Sequence, residues 1–388
     1  IVKSAFTMTF MLIIGGAFQV ITSTGALTSL CNKLSKTFSK HKYVVIPVFL
    51  TLFSIFGFTM GMSSEVMIFV PIGITLALFL GLDKVTGTAM IALGAAVGFT
   101  AGILNPFNVG VAQDIAELPL FSGMAYRFVI LIVLLVATRA YIIVYAKKVA
   151  ANPEKSVIYG IEEDEEYTFD ETSDNITGRQ IGVLVIIALG FGLLIYGLSK
   201  KGWYFEEMSG LFIFMGVICG FVSGYGPSKI AKEFGEGAKG IIVGCLIIGI
   251  ARTVEVILSD ANILDTIVYG IVNLVNFLPG SIKAVGMFIC QSLINCVIVS
   301  GTGQAAVTMP LMIPVSDLVG ISRQTAVLAF QLGDGFSNSV LPMSSSLMGY
   351  LAVSKIPYSK WLKFMMPLFL IWTALGCVFM LGALVIGY

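Results

Sequence analysis

The run FVILIVLLVATRAYIIVYA, residues 128–146, decides the fold, because its nineteen residues include a single charge, Arg139. A helix needs about 20 apolar residues to cross roughly 30 Å of hydrocarbon. The apolar residues are continuous rather than alternating, which favours helices over the strands of a barrel. Comparable apolar cores lie at Ile181–Leu198, Leu211–Val222, Gly240–Ile250 and Phe364–Ile386. We therefore predict an all-α polytopic membrane protein.

The composition of the whole chain agrees with this prediction. Of its 388 residues, 57% are hydrophobic and 12% are charged, whereas about 25% of the residues in a soluble domain are charged. The mean hydropathy is +0.96. The net charge of +1 implies no nucleic-acid partner. Because the sequence starts at Ile1 and reaches an apolar run almost at once, we expect an N-terminal piece to be missing.

The two ends of the chain resemble each other across a polar stretch. Ser63–Pro71 aligns with Thr302–Pro310, and Gly81–Asp83 aligns with Gly320–Ser322 at the same offset. The shared order of these matches favours an internal duplication. We predict three segments: a first repeat at 1–146 whose N-terminal span or spans are missing, a cytoplasmic polar linker at 147–179 and a second repeat at 180–388.

The lysines predict that the two repeats are inverted relative to each other. Short loops rich in Lys and Arg face the cytoplasm. A path that keeps the lysine-rich loops on one side places the loop after the first repeat's opening span inside, and its counterpart near Pro279 outside. This path requires the broken segments to enter and leave the membrane on one side, as re-entrant hairpins. The lysine-rich loops lie around Lys36, Lys147, Lys232 and Lys360.

Four apolar segments are broken by small and polar residues, two in each repeat. In inverted-repeat transporters, substrate sites lie near the midplane, where helices break and expose backbone dipoles. A helix that starts after a break presents its positive end, which suits a carboxylate. One pair of breaks is Gly57–Glu65 with Ser300–Gln304, and the other is Gly94–Gln113 with Gly333–Ser346. We predict the transport site at these four places.

Two carboxylates lie in these segments. A charge at mid-membrane costs about 2.5–3.5 kcal/mol on insertion scales, so each should have a use. Glu65 either binds substrate or caps the start of a helix. Asp334, between Gly333 and Gly335, either couples transport to a proton or a small cation or belongs to a structural network that fastens the hairpin.

A further charged pair lies in an apolar segment. Arg252 and Glu255 share a helix face, and they either pair with each other or leave Arg252 to clamp a carboxylate with its fork of donors. The residues expected to bind substrate are Ser63, Ser64, Glu65, Asn105, Arg252, Glu255, Thr302, Gln304 and Asn338. Those expected to serve the coupling ion are Asp334, Asn108, Ser337, Ser300 and Gly301, with sodium placed near Asp334 and Asn338 and near Asn105 and Asn108, or a proton in its place.

The motifs of other classes are absent from the sequence. It contains no GxxxxGK(S/T), no HExxH and no Cys/His metal set. We therefore expect neither a built-in ATPase nor an enzyme, and no cofactor beyond a coupling ion. A secondary transporter driven by an ion or substrate gradient is the remaining class, with a channel as the distant alternative.

At these residues the sequence resembles the YfcC-like branch of the C4-dicarboxylate anaerobic carrier family, in the ion-transporter superfamily. The resemblance rests on Leu104–Phe107 with Gln113, and on Ser300–Pro310, Ser322–Gln331 and Gly333–Asn338. It implies paired re-entrant hairpins, a mobile transport domain beside a scaffold, elevator-type alternating access and a homodimer in the bacterial cytoplasmic membrane.

The resemblance also implies a Ser-Asn-Thr-type motif at each hairpin tip, which would hold the substrate carboxylate and sodium. Ser63–Ser64 and Ser337–Ser339 are the nearest equivalents here.

Two substrate classes remain open. The family name implies C4-dicarboxylates, whereas the YfcC-like branch is associated with basic amino acids. The predicted cavity sets the carboxylates Glu65, Asp334 and Glu255 against one cation, and a dianion would prefer the reverse balance. We therefore expect a carboxylate-bearing metabolite with an amine, such as arginine or ornithine. A sodium- or proton-coupled C4-dicarboxylate transporter is the alternative, if the acids bind the coupling ion.

Overall fold

The structure is a computed structural model. It describes residues 5–27, 29–30, 33, 39–161, 176–201, 203, 205–240, 242, 245–246, 250, 253, 256–257, 260–263, 266, 269–270 and 282–388. Arg252, Glu255, Pro279, most of the predicted span Gly240–Ile250 and the acidic run Glu162–Glu166 lie outside the described residues.

Every regular element in the described part of the chain is a helix. The α-helices are α1 (Ala5–Ser23), α2 (Val45–Met60), α3 (Val70–Phe79), α4 (Lys84–Ala101), α5 (Val111–Ile115), α6 (Met124–Ala151), α7 (Gly178–Tyr196), α8 (Phe205–Val222), α9 (Pro227–Gly240), α10 (Lys283–Asn295), α11 (Gly301–Leu318), α12 (Arg323–Ser337), α13 (Ser345–Ser354) and α14 (Tyr358–Ile386). Shorter 3-10 and π segments lie at Ser39–Val44, Ser64–Phe69, Pro106–Gly110, Pro153–Lys155 and Gly197–Lys201.

Within the described residues, four stretches of helix are long and apolar enough to cross a membrane: Lys42–Thr59, Lys84–Ala101, Met124–Ala151 and Tyr358–Ile386. The prediction of an all-α protein with long apolar helices is confirmed. The share of the spanning window that is buried is 89% for α4 but 28% for α6 and α14. Helix α4 is therefore central, and the other two helices present apolar side chains outward, where lipid would contact them.

The same succession of elements occurs twice. Helices α2 to α6 and helices α10 to α14 each begin with two helices joined at a sharp bend, continue through a turn into a buried helix, break, and end in a long outer helix. Contacts repeat as well, because α2 packs on α4 as α10 packs on α12.

The turns before α4 and α12 match at the level of single hydrogen bonds. The amide of Leu82 donates to the carbonyl of Ala77 over 2.9 Å, and that of Ile321 donates to Ser316 over 2.9 Å. Gly81 at φ +68° and Gly320 at φ +71° occupy the left-handed region at equivalent positions, where a side chain would be strained. Both following helices are capped by a side-chain oxygen, from Asp83 and Ser322.

These two turns lie at opposite ends of α6. Near its C-terminal end, the hydroxyl of Tyr145 donates to Asp83 Oδ2 over 2.6 Å. Just before its N-terminal end, Gln324 Nε2 donates to the carbonyl of Ser122 over 2.5 Å. Tyr145 lies 21 residues after the first residue of α6, roughly 32 Å along the axis at about 1.5 Å per residue, so the separation of the turns matches the hydrocarbon thickness of a membrane.

The helices in the middle of the chain do not begin and end at the boundaries of the three predicted segments. Helix α6 continues to Ala151, inside the stretch predicted as linker, and α7 begins at Gly178 behind a capping box formed by Thr177 and Gln180. Helix α1 packs against α8 and α9 rather than against α2. The boundaries of the two repeats stay a prediction.

We expect Gly94→Ala and Gly333→Ala to destabilise the protein to a similar extent. A Cβ at Gly94 would lie 2.8 Å from the carbonyl oxygen of Leu50, and one at Gly333 would lie 2.9 Å from the amide nitrogen of Ser292. Overpacking of this kind costs about 1–3 kcal/mol. The midpoint of thermal unfolding in detergent should fall by several degrees in both variants.

Gly192→Ala is the matched control, since a Cβ there meets nothing within 4 Å. Equal melting of all three variants would contradict the close packing of α4 on α2 and of α12 on α10.

Candidate functional site

The bend between α10 and α11 contacts the interrupted region after α4, and the bend between α2 and α3 contacts the region that follows α12. We call Gly61–Glu65 the first tip and Cys296–Gly301 the second tip; the first break runs from Gly102 to Gly110 and the second from Asn338 to Ser344. The second tip contacts the first break, because a Cβ at Gly301 would lie 3.0 Å from Asn108 Cβ. The first tip contacts α13, immediately after the second break, through hydrogen bonds between the hydroxyls of Ser63 and Ser64 and that of Ser346.

A buried carboxylate lies where the second tip meets the first break. Asp334 on α12 is fully buried. Asn108 Nδ2 donates to its Oδ2 over 3.2 Å, and Asn338 Nδ2 donates to its Oδ1 over 3.1 Å. The Cβ position of Gly301 is 3.1 Å from the same Oδ2, so the first turn of α11 lies beside the carboxylate. The glycine allows this approach, and the positive end of α11 favours a negative charge there.

Asn295, at the end of α10, contacts three groups of this cluster through its side-chain amide. Its Nδ2 is within 3.1 Å of the carbonyl of Asp334, 2.7 Å of Ser337 Oγ and 2.9 Å of Asn338 Oδ1. Its Oδ1 is buried and accepts no hydrogen bond within the described part of the chain. Asn295 was not predicted, because it lies in an apolar helix and is not flanked by glycines.

Hydroxyl groups predominate where the first tip meets α13. Ser63 Oγ lies 2.9 Å and Ser64 Oγ 2.8 Å from Ser346 Oγ. The hydroxyl of Tyr350 donates to the carbonyl of Ser63. The half-buried Glu65 accepts a hydrogen bond from the amide of Ser63 over 3.0 Å, so its carboxylate folds back onto the tip. Tyr350 was not predicted, because its aromatic ring is ordinary in an apolar helix.

A cavity of about 20 Å³ lies between these two clusters. Its polar lining comes from Ser63, Asn338, Ser339 and Ser346, and its aromatic lining from Phe99, Tyr350 and Trp361. This volume suits about one water molecule. A larger cavity of about 470 Å³ lies between α1 and α9 on one side and α3 and α13 on the other, and the described residues that line it include none of the predicted site residues.

The other predicted site residues that the structure describes lie at the start of α11 or in the first break. Gln304 is buried and its Nε2 donates to both oxygens of Gln291, at 2.8 and 2.7 Å, so it fastens α11 to α10. Thr302 is exposed, and Ser300 caps α11 by accepting from the amide of Gly303. Asn105 is fully buried in the first break. Arg252 and Glu255 lie outside the described residues.

An all-α fold with membrane-length helices, interrupted where buried polar side chains converge, defines a polytopic membrane transporter. Residues 3–385 match the family model described as C4-dicarboxylate anaerobic carrier (DcuC). The chain belongs to the C4-dicarboxylate anaerobic carrier family. It is therefore a secondary transporter of a small molecule, a multi-pass membrane protein of a bacterial transporter family, and not an enzyme.

Two relatives and one solved structure extend this assignment. The chain is 32% identical to YfcC of Escherichia coli (strain K12), named as a proposed basic amino acid antiporter, over 98% of this chain and 77% of that protein. It is 29% identical to an uncharacterized protein of Haemophilus influenzae over 99% of this chain and 75% of that protein. The crystal structure of the Alcanivorax borkumensis YdaH transporter, described as having an unusual topology, matches with a TM-score of 0.50 at 14% identity, over 99% of this chain and 85% of that chain. This last likeness concerns the fold alone.

We expect a Ser63→Cys/Ser346→Cys double variant to form a disulfide on mild oxidation. The two hydroxyl oxygens are 2.9 Å apart, which brings their Cβ atoms near the separation a disulfide needs. The measurement is the mass of a peptide pair after proteolysis, in a background from which the native cysteines have been removed.

Ser63→Cys/Ser354→Cys is the control pair, because Ser354 lies at the far end of α13, roughly 12 Å along the axis from Ser346 at about 1.5 Å per residue. Cross-linking of the control pair but not of Ser63 with Ser346 would contradict the described contact.

Proposed function

We propose that this chain exchanges or symports a basic amino acid such as arginine or ornithine across the membrane, through the site formed by the two tips and the two breaks. One observation carries the proposal: each tip contacts the broken region of the other half, and a cavity lies between Ser63 and Asn338. Backbone freed by broken helices would then be available to a substrate near the midplane.

Two inverted repeats, with α2–α6 in the first and α10–α14 in the second, are part of this proposal. The equivalent turns before α4 and α12 lie at opposite ends of α6, which supports hairpins that enter from opposite sides. Lys42 and Lys147 both approach the ring of Tyr43, at 5.5 and 5.6 Å. This cluster supports a cytoplasmic position for the end of the protein that holds the Asp83 turn.

The described lining of the cavity supports a substrate with a positive group. None of the described residues lining it is Lys or Arg, so a dicarboxylate would lose its hydration there without gaining a cation from them. Glu65 lies one hydrogen bond from the lining residue Ser63 and would attract an amine. The name of the Escherichia coli relative supports the same substrate class.

The alternative is a sodium- or proton-coupled C4-dicarboxylate transporter, and a specific observation favours it. The positive end of α11 approaches Asp334 and Asn108 through Gly301, and a substrate carboxylate could take that position if Asp334 were neutralised by its ion. The family name supports this substrate. Asp334 would then bind the coupling ion, and the helix ends would bind the dicarboxylate.

Asp334 is the proposed coupling residue in both versions. Its neighbours Asn108 and Asn338 are amides. Their oxygens accept from the amide of Val109 and from Asn295 Nδ2, so these hydrogen bonds would be exchanged when either oxygen turns toward a cation. Together with Asn295 Oδ1, these oxygens would be a set of hard ligands of the kind that sodium accepts. Protonation of Asp334 would neutralise the same site without a metal.

Transport also requires the site to open. A cavity of about 20 Å³ holds about one water, so an amino acid enters only after Ser63 and Ser346 move apart. We place this opening within an elevator-type movement of a transport domain against a scaffold that includes α1, α8 and α9, in a homodimer. The cavity of about 470 Å³ between α1 and α9 on one side and α3 and α13 on the other would admit the substrate on the way.

Exchange in proteoliposomes tests the substrate. We expect labelled arginine to enter vesicles preloaded with ornithine, and labelled succinate to enter slowly. Glu65→Gln should raise the half-saturating arginine concentration roughly tenfold, the size of one lost charge-assisted contact of about 1.4 kcal/mol. Sodium-driven succinate uptake without arginine exchange would overturn the amino-acid assignment and favour the alternative.

We expect Asp334→Asn to abolish uptake driven by a sodium or proton gradient while the protein still folds. Asparagine has the same shape and its single oxygen can keep one of the two hydrogen bonds that Asn108 and Asn338 donate, but it can neither balance a cation nor carry a proton. Uptake should be measured with each gradient separately, beside the melting temperature. Asp114→Asn removes an exposed carboxylate of α5 and is the matched control. Gradient-driven uptake at the wild-type rate in folded Asp334→Asn would exclude Asp334 as the coupling residue.

A further inference from the structure

The small cavity between the two clusters has a wall of aromatic side chains, to which the proposed function assigns no role. Phe99 comes from α4, Tyr350 from α13 and Trp361 from α14, and all three line the cavity. Aliphatic side chains could surround a space of about 20 Å³ equally well. Packing alone therefore does not explain why three helices each contribute an aromatic ring.

Hydrogen bonds fix two of the rings at the edge of the site. Tyr350 donates its hydroxyl to the carbonyl of Ser63, and Trp361 Nε1 donates to the carbonyl of Ser339 over 3.1 Å. With their polar atoms engaged by backbone, both side chains contribute ring carbon to the cavity. The rings are therefore held in place before a ligand arrives, which lowers the cost of ordering them.

Phe99 links this wall to the ion cluster. Its Cζ lies 3.7 Å from the Cβ position of Gly301, at the second tip, and its carbonyl accepts from Gln331 Nε2 over 2.7 Å. The ring thus lies between the second tip and the cavity. A ligand bound against it would be close to both halves of the protein.

Ring faces carry negative electrostatic potential and attract cations, most of all when water is excluded. A guanidinium also stacks on aromatic faces because it is planar and weakly hydrated. A carboxylate would instead be repelled by the same faces.

We propose that Phe99, Tyr350 and Trp361 form a subsite that holds the cationic side chain of the transported amino acid against their ring faces. The proposal rests on the proposed function and adds the basis of its selectivity. The hydroxyls of Ser63 and Ser346, which bond each other in the closed site, would be released when the two residues move apart and would then bind the α-amino and α-carboxylate groups of the substrate.

Competition between arginine and citrulline tests the subsite, because citrulline has the same length but an uncharged end group. We expect the wild-type protein, purified and reconstituted, to bind arginine at least about tenfold more tightly than citrulline. Phe99→Leu and Tyr350→Leu should each reduce this ratio by roughly five- to tenfold, mainly by weakening arginine. Tyr350→Phe keeps the ring and loses the hydroxyl, so its ratio should stay close to the wild-type ratio whatever happens to the overall rate.

Phe214→Leu, an exposed ring on the outer face of α8, is the matched control and should leave both affinities unchanged. If the leucine variants weaken arginine and citrulline equally, the rings have no preference for charge and the subsite is wrong, although arginine exchange itself would stand. If the wild-type protein binds neither arginine nor ornithine but transports succinate, the amino-acid part of the proposed function fails, and the subsite fails with it.

Discussion

Backbone groups that are freed inside a membrane must find partners within the protein, because lipid offers none. This constraint governs the site. The chain leaves helical geometry at two tips and two breaks, and buried side chains converge where it does so: Asn295 binds the carbonyl of Asp334, Tyr350 binds the carbonyl of Ser63, and Ser300 caps α11. The polar residues that make the site chemically useful are therefore also those that make interrupted helices tolerable in this place.

The two meeting points have unlike chemistry although the surrounding elements correspond. Around Ser346 the contacts join neutral hydroxyls, whereas around Asp334 two amides surround a carboxylate. Neutral hydrogen bonds contribute about 0.5–1.5 kcal/mol and those to a charged group about 1.5–3 kcal/mol. In the proposed function, the charged meeting point around Asp334 would hold the ion, and the neutral one around Ser346 would admit the substrate.

Residues at the interruptions of the helices could be predicted from the sequence, whereas polar residues within regular helices and the contacts between the two halves could not. Asp334 stands out because a carboxylate between two glycines is rare in an apolar segment, and Asn338 lies four residues further on between two serines. The turns at Gly81 and Gly320 follow from a constant offset. Gln291 and Tyr350 lie inside apolar helices, and Asn295 is the last residue of one. None of the three is next to the small polar residues by which the tips and breaks were predicted. The crosswise contact of each tip with the other half depends on how α4 and α12 pack, which is a tertiary property that no single segment encodes.

The close packing of α4 and α12 explains why a small cavity can connect the two meeting points. Gly335 on α12 faces Thr100 on α4 at a separation that leaves no room for a Cβ, and Gln331 bonds the carbonyl of Phe99 across the same crossing. Because the two central helices touch at this crossing, the breaks that follow them begin at nearly the same depth. An ion bound by Asp334 and a substrate bound near Ser63 would therefore be only a few side chains apart, close enough for the occupancy of one site to alter the packing of the other. In this geometry, coupling between ion and substrate requires no long-range signal, only the shared movement of two helices in contact.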